Sequence, residues 1–255
     1  MRRLSALAAL ALATCAPPAF AQDGDILHYL RSNIDGSSPE AISVWLREDG
    51  SVEVFKRVSP CTNAALVTAE FDGVGAEPRR LVGGRLSRDG AQQPFAWLEH
   101  DAETGEIAVR FGAPDAPPVE TLMLSSPAPW RLYDFDFADW NALAYGPPPA
   151  SFTVEMALIW PDGEPVLRNL GEAEAVRVGE EPRAGRAAVR YRVSANGFEA
   201  GDLWLDPATG RVIEVAWAAP NHPGYENYRL VLTGSDSGEA AWRALLASHW
   251  TGCPQ

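Results

Sequence analysis

The segment Gly234-Ser235-Asp236-Ser237-Gly238 has the small-residue frame in which a hydrolase carries its nucleophile at a sharp strand-to-helix turn. Its central residue is aspartate, not serine, and His249 is the only histidine that follows to serve as a base. Helix capping accounts for the same residues more simply, since Ser237 can accept the free N–H groups of a helix beginning at Gly238. Metal chemistry has no better footing. His28, His100, His222 and His249 are scattered singly, without a spacing that puts two imidazoles on one metal. In "DFDFAD" (134–139) Asp134 and Asp136 share a face with Asp139 nearby, but strand alternation places polar residues there in any case. "LEHD" (98–101) gathers two carboxylates and an imidazole, the groups of acid–base chemistry, at the start of a hairpin turn where solvated side chains are expected. "GVGAEP" and "VGGRL" lack the glycine spacing and following helix of a phosphate cradle. No catalytic residue, metal set or cofactor is assigned.

Aromatic residues are the remaining resource. All nine tryptophans lie beyond residue 21. Tryptophan ordinarily fills cores and interfaces, but an excess of inward aromatics in a curved sheet can line a cavity for an apolar ligand. Trp204 and Trp217 are candidates for such a lining. The loop "PNHPGYENY" (220–228) adds Asn221, His222, Tyr225 and Asn227 as candidate rim residues, with an ordinary Pro/Gly/Asn turn as the alternative.

The elements that must position these residues are strands. "SFTVEMALIW" (151–160) alternates Phe152, Val154, Met156, Leu158 and Trp160 against polar neighbours. "AVRYRV" (188–193) and "YRLVLT" (228–233) do the same, the pattern of antiparallel strands with one wet face. Three phrases beginning Trp45-Leu46, Trp97-Leu98 and Trp204-Leu205 each run into an acidic turn ending in glycine and then a β-branched stretch. This is hairpin grammar: Asp starts the turn and Gly takes the positive φ. The Pro-rich stretches 112–118 and 146–150 are not central strands. Between them, "PWRLYDFDFADWNALAY" is an aromatic segment expected to pack over an open end of the sheet. The stretch 146–150 marks a candidate boundary between two lobes. One helix is expected, from Gly238 to about Trp250, with Trp242, Leu245, Leu246 and His249 on one stripe.

The address is written at the start. Arg2-Arg3, an apolar Leu/Ala run and Ala19-Phe20-Ala21 form a secretory signal over residues 1–21, so that a two-lobed domain of residues 22–255 remains. An alternative lies in "LATC", which resembles a lipobox and would put a lipid on Cys15. The full chain has 21 Lys+Arg against 34 Asp+Glu, a formal charge of −13. Loss of Arg2 and Arg3 makes the mature chain more acidic still, which disfavours nucleic acid and anionic membrane surfaces as partners. No segment is long enough to make an integral membrane protein. Cys61 and Cys253 remain after cleavage, an even count that in an exported protein predicts a disulfide.

"YLRSNIDGSSPE", "CTNAALVTAEFD", "LVGGRLSRDG" and "LWLDPATGRVIEVAWAAPNHPGY" together resemble uncharacterised periplasmic proteins of Gram-negative bacteria over most of the mature chain. The resemblance brings no functional residues with it. "LWLDPATGRVIEV" is also similar to the late strands of half-barrels of the outer-membrane lipoprotein-carrier type. That likeness implies a curved antiparallel sheet, an apolar concave face and the handling of lipid or acyl chains. The expectation is a mainly β protein, a half-barrel or open barrel of antiparallel strands with one C-terminal amphipathic helix, located in the periplasm. Its expected role is non-catalytic, with an apolar small molecule or lipid as ligand. The alternatives are an envelope protein–protein interaction module with a filled core and, with least to stand on, a hydrolase.

Overall fold

A computed structural model describes residues 24–71, 77–144 and 146–254. The expected signal segment, with Cys15, lies outside the described residues. The first half of the chain forms β1 (Asp25–Ser32), β2 (Glu40–Leu46), β3 (Val52–Arg57), β4 (Ala64–Phe71), β5 (Pro78–Leu86), β6 (Gln92–Asp101), β7 (Glu106–Phe111) and β8 (Glu120–Met123). A short β9 (Trp130–Leu132) leads through a 3-10 turn into α1 (Ala138–Ala142). The second half forms β10 (Ser151–Ile159), β11 (Leu167–Arg183), β12 (Arg186–Ala195), β13 (Gly201–Leu205), β14 (Val212–Trp217) and β15 (Tyr228–Ser237), followed by α2 (Glu239–Ser248).

Among the described residues all 15 strands belong to one sheet, ordered β8 to β1 and then β15 down to β9. Two meanders are thus joined where the first and last strands pair antiparallel. Only β9 runs parallel to its neighbour, β10. The sheet is open but curled. Glu120 on the edge strand β8 accepts the N–H groups of Val166 (2.7 Å) and Leu167 (3.2 Å), which precede and begin β11. The fully buried Glu155 of β10 accepts the N–H groups of Ser125 (2.9 Å) and Ser126 (3.0 Å) just past β8. Side chains, not a backbone ladder, hold the two edges together.

The three Trp-Leu phrases are hairpins, and Gly50, Gly105 and Gly210 sit at φ of 81°, 73° and 74°. A side chain there would be strained, which is why each turn ends in glycine. Trp45 and Leu46 fall on opposite faces, as do Trp204 and Leu205.

Two placements differ from expectation. The aromatic segment does not cover an open end; it lies inside the curl. Trp130, Tyr133, Phe135 and Phe137 are fully buried, and Tyr133 and Phe137 contact Trp217 at 5.1 and 5.0 Å between ring centroids. Helix α2 packs against the outer face of the sheet, its Trp242 and Leu246 against Ile26, Trp45, Phe55 and Leu66. These residues alternate with Leu27, Val44, Val54 and Val67, which face inward. Ser237 is not the cap. It ends β15, and Gly238 at φ 85° makes the turn into α2 with no side-chain cap bond. Beyond α2 the buried His249 donates its Nε2–H to the Thr62 carbonyl (2.8 Å), and the Cys61–Cys253 disulfide, with Cα atoms 5.4 Å apart, ties the segment after α2 to the loop before β4. Among the described residues no helix is long and apolar enough to cross a membrane.

Candidate functional site: a half-filled barrel interior

The interior divides unequally. The aromatic segment fills the half beneath β10–β15, and beneath β3–β7 it leaves a cavity of about 760 Å³. The cause is side-chain size. Facing inward here are Ala65, Gly83 and Ala96, where the other half presents Trp217, Tyr228 and Tyr191. Val67, Leu81, Leu98, Val109, Leu132 and Phe135 form the apolar walls. Val58, Phe95 and Phe111 at the rim are 71%, 46% and 37% exposed, an apolar border unusual for a surface.

Strand register grades the wall from polar to apolar. Lys56, Ala65 and Arg85 lie at one level. Val54, Val67, Gly83, Ala96 and Phe111 form the next, followed by Val52, Ala69, Leu81, Leu98 and Val109. Arg31 and Glu40, directly opposite each other on β1 and β2, close the polar end, with Asp134 contributed by the aromatic segment and His222 and Tyr225 by the loop before β15.

Behind this polar end sits Asp136, fully buried. Its carboxylate receives Lys56 Nζ at 2.6 Å, Arg31 Nη1 at 3.2 Å, Asn221 Nδ2 at 3.0 Å and the Tyr228 hydroxyl at 3.3 Å. Burial alone would raise this acid, but the charges of Arg31 and Lys56 and the hydrogen bonds outweigh it and hold the pKa at about 2. Arg31 also pairs with Glu40, and its guanidinium lies 4.7 Å from the Tyr225 ring centroid. Asp136 and the following Phe137 both adopt left-handed backbone, at φ 53° and 60°. Such conformations in non-glycine residues cost energy and cluster at functional sites.

Asp134 is treated differently. Lys56 Nζ takes its backbone carbonyl at 2.6 Å, but among the described residues its carboxyl group makes no hydrogen bond or ion pair. Burial raises its pKa to about 6, with Lys56 opposing and Asp136 adding to the rise. A carboxyl group with free hydrogen-bonding capacity therefore stands in the wall of an apolar cavity.

The residues expected at a ligand site do not gather there as a set. His222 and Tyr225 line the cavity. Asn221 is fully buried behind it, bracing Asp136 and the Tyr133 carbonyl. Trp217 is enclosed in the filled half. Trp204 is on the outer face, donating Nε1–H to Glu181 at 2.6 Å with Arg183 stacked 4.2 Å from its ring centroid. Asp134, weighed above as a metal ligand, stands in this cavity wall instead, and Arg31, Glu40 and Lys56 are the unforeseen members. Their signal is parity: Arg31 continues the inward series Leu27-Tyr29, Glu40 begins Glu40-Ile42-Val44, and Lys56 ends Val52-Val54-Lys56.

The acid–base candidates resolve into structure. Asp236 is within β15, not at a turn. It lies 3.1 Å from His28 Nε2, whose Nδ1 is 2.9 Å from Ser43 Oγ. Serine, imidazole and carboxylate thus line up across three strands. Ser43 sits mid-strand between β1 and β3, where backbone N–H groups are committed to ladders and none is free to stabilise an oxyanion. Glu99 pairs with Arg110 at 2.8 Å, and Asp101 accepts turn N–H groups. Among the described residues no cluster of His, Cys, Asp and Glu could hold a metal ion.

No protein-family model matches this chain, and no curated protein matches it. The case for a function rests on the cavity.

Proposed function

We propose that the protein is an exported, non-catalytic binder or carrier of an apolar chain, a lipid or acyl group, in the cell envelope. The observation that carries this reading is a cavity of about 760 Å³ with apolar walls and a few convergent polar groups at one end. That size and composition are those of small-molecule sites. A stable protein does not gain from leaving such walls to water, and a bound chain would regain about 0.8 kcal/mol for each methylene buried. The disulfide suits the oxidising compartment to which a cleaved signal would deliver the chain. The likeness of the late strands to lipoprotein-carrier half-barrels points the same way.

The experiment is a titration of dodecanol, a neutral chain, followed by native mass spectrometry and calorimetry on protein purified from the periplasm. Saturable one-to-one binding is expected, on a chain whose intact mass corresponds to residues 22–255. Absence of any binding, with no co-purified apolar molecule, would overturn the reading in favour of an interaction module.

A further inference from the structure

We infer that the ligand is an amphiphile with a protonated amine head, its chain running toward Leu81, Leu98 and Val109 and its ammonium group on Asp134. This rests on the cavity being a ligand site and adds the chemistry of the head. The strand levels described above already demand an amphiphile: charged residues stand at one end of the cavity and none at the level of Leu81, Leu98 and Val109.

The sign of the head follows from how the charges are paired. Arg31 and Lys56 would be the natural partners of a carboxylate or phosphate head, but both are occupied. Lys56 is held by Asp136 and by the Asp134 carbonyl, and Arg31 by Asp136 and Glu40. Three carboxyl groups, Glu40, Asp134 and Asp136, stand against these two cations. The unmatched group is Asp134, whose carboxyl has no partner among the described residues. His222 adds an acceptor: with Nδ1 donating to the Pro223 carbonyl at 2.7 Å, its lone pair is on Nε2. The Tyr225 hydroxyl is turned to Glu40. The remaining cation on the rim, Arg85, lies 5.8 Å from the Phe95 ring centroid. With Arg85 the cations equal the carboxyl groups in number, so net charge does not set the sign; an ammonium is favoured because it supplies the donors that Asp134 lacks. The acidity of the whole chain favours the same sign of ligand.

The test compares three probes of one chain length, dodecylammonium, dodecanol and dodecanoate, each below its micelle concentration at pH 7.5. On the wild-type protein dodecylammonium should bind at least tenfold more tightly than dodecanoate, with dodecanol between them. Asp134→Asn should bring the ammonium-to-alcohol ratio to about one. Equal binding of all three probes, or preference for dodecanoate through Arg85, would overturn the inference and leave the cavity reading standing. Failure of all three to bind would remove the cavity reading itself. The wild-type comparison needs no variant, so a misfolded Asp134→Asn protein would not shield the inference.

Discussion

The Lys56 ammonium stands 2.6 Å from the Asp136 carboxylate, yet it takes only the backbone carbonyl of Asp134. Two aspartates one residue apart are thereby given opposite characters. Asp136 is held ionised at about 2, and Asp134 is pushed up to about 6. Glutamine-like neutrality would suit position 134 better for stability alone. A raised acid with no hydrogen bond or ion pair among the described residues, standing in a cavity wall, is a candidate for contact with a ligand.

Asp134→Asn should therefore stabilise the protein at neutral pH. Its folded pKa lies above the unfolded value of 3.8, so between about pH 4 and 6 the folded state binds more protons, and stability falls as pH rises. The penalty is complete above pH 6. It reflects burial together with Asp136 and Asp139, partly relieved by Lys56 and Arg31. The asparagine variant should gain on the order of 1–2 kcal/mol at pH 7.5, after discounting for water in the cavity, and nothing at pH 4. Asp139, also raised to about 6 by burial, keeps a residual slope in the variant. Denaturant midpoints at the two pH values measure the difference. A variant less stable at both would contradict the assignment.

Asp136→Asn should do the reverse. Removing that charge leaves Lys56 without its carboxylate and Arg31 with Glu40 alone, at a cost of about 3–5 kcal/mol at pH 7.5. In the wild type the contribution is present above the unfolded pKa of 3.8 and is lost as pH falls toward 2. Opposite signs for the two asparagine variants are the expected result; a common sign would mean that Lys56 does not discriminate between the two carboxyl groups.

The Cys61–Cys253 bridge spans 192 positions and joins the end of the chain, beyond α2, to the loop before β4. Cys61→Ser and Cys253→Ser should lower stability by similar amounts, about 2–5 kcal/mol, because either opens the same loop. Thiol titration of denatured, unreduced protein should find no free sulfhydryl. Markedly unequal losses would show that one residue matters through local packing, such as the contact between Phe55 and His249.

Much of this architecture is legible in the chain. Alternation correctly assigns Val189, Tyr191 and Val193, or Tyr228 and Leu230, to one face, and Asp-to-Gly turns locate the hairpins. The site is less legible because it depends on pairing. Arg31, Glu40 and Lys56 each have inward parity within a strand, but only register places the Arg31–Glu40 pair one inward position from Lys56, which lies opposite Ile42. The "DFDFAD" segment misleads because Asp136 and Phe137 are left-handed and abolish the alternation that its composition suggests. Tryptophan count cannot say which half of an interior is filled: Trp217 fills one half and Trp204 faces outward, while small residues make the cavity.

Adjacent glycines of β5 offer the most direct trial of that last point. A Cβ on Gly83 would meet only Ala96, at 3.4 Å from its Cβ, and the backbone there is not left-handed. Gly83→Leu should therefore fold, project into the cavity and relieve the entropic cost of glycine in a strand, about 0.5–1 kcal/mol. Its thermal midpoint should rise or hold while binding of dodecanol is lost. Gly84 is different. It lies at a bulge, where a Cβ would come within 2.5 Å of Gln92 Cγ and 2.9 Å of the Gln93 carbonyl oxygen. The flexible glutamine can move, but the carbonyl cannot without disturbing the ladder, so Gly84→Leu should destabilise β5 and β6. A Gly83→Leu protein that is fully folded and still binds dodecanol with wild-type affinity would place the ligand elsewhere and remove the cavity from the account.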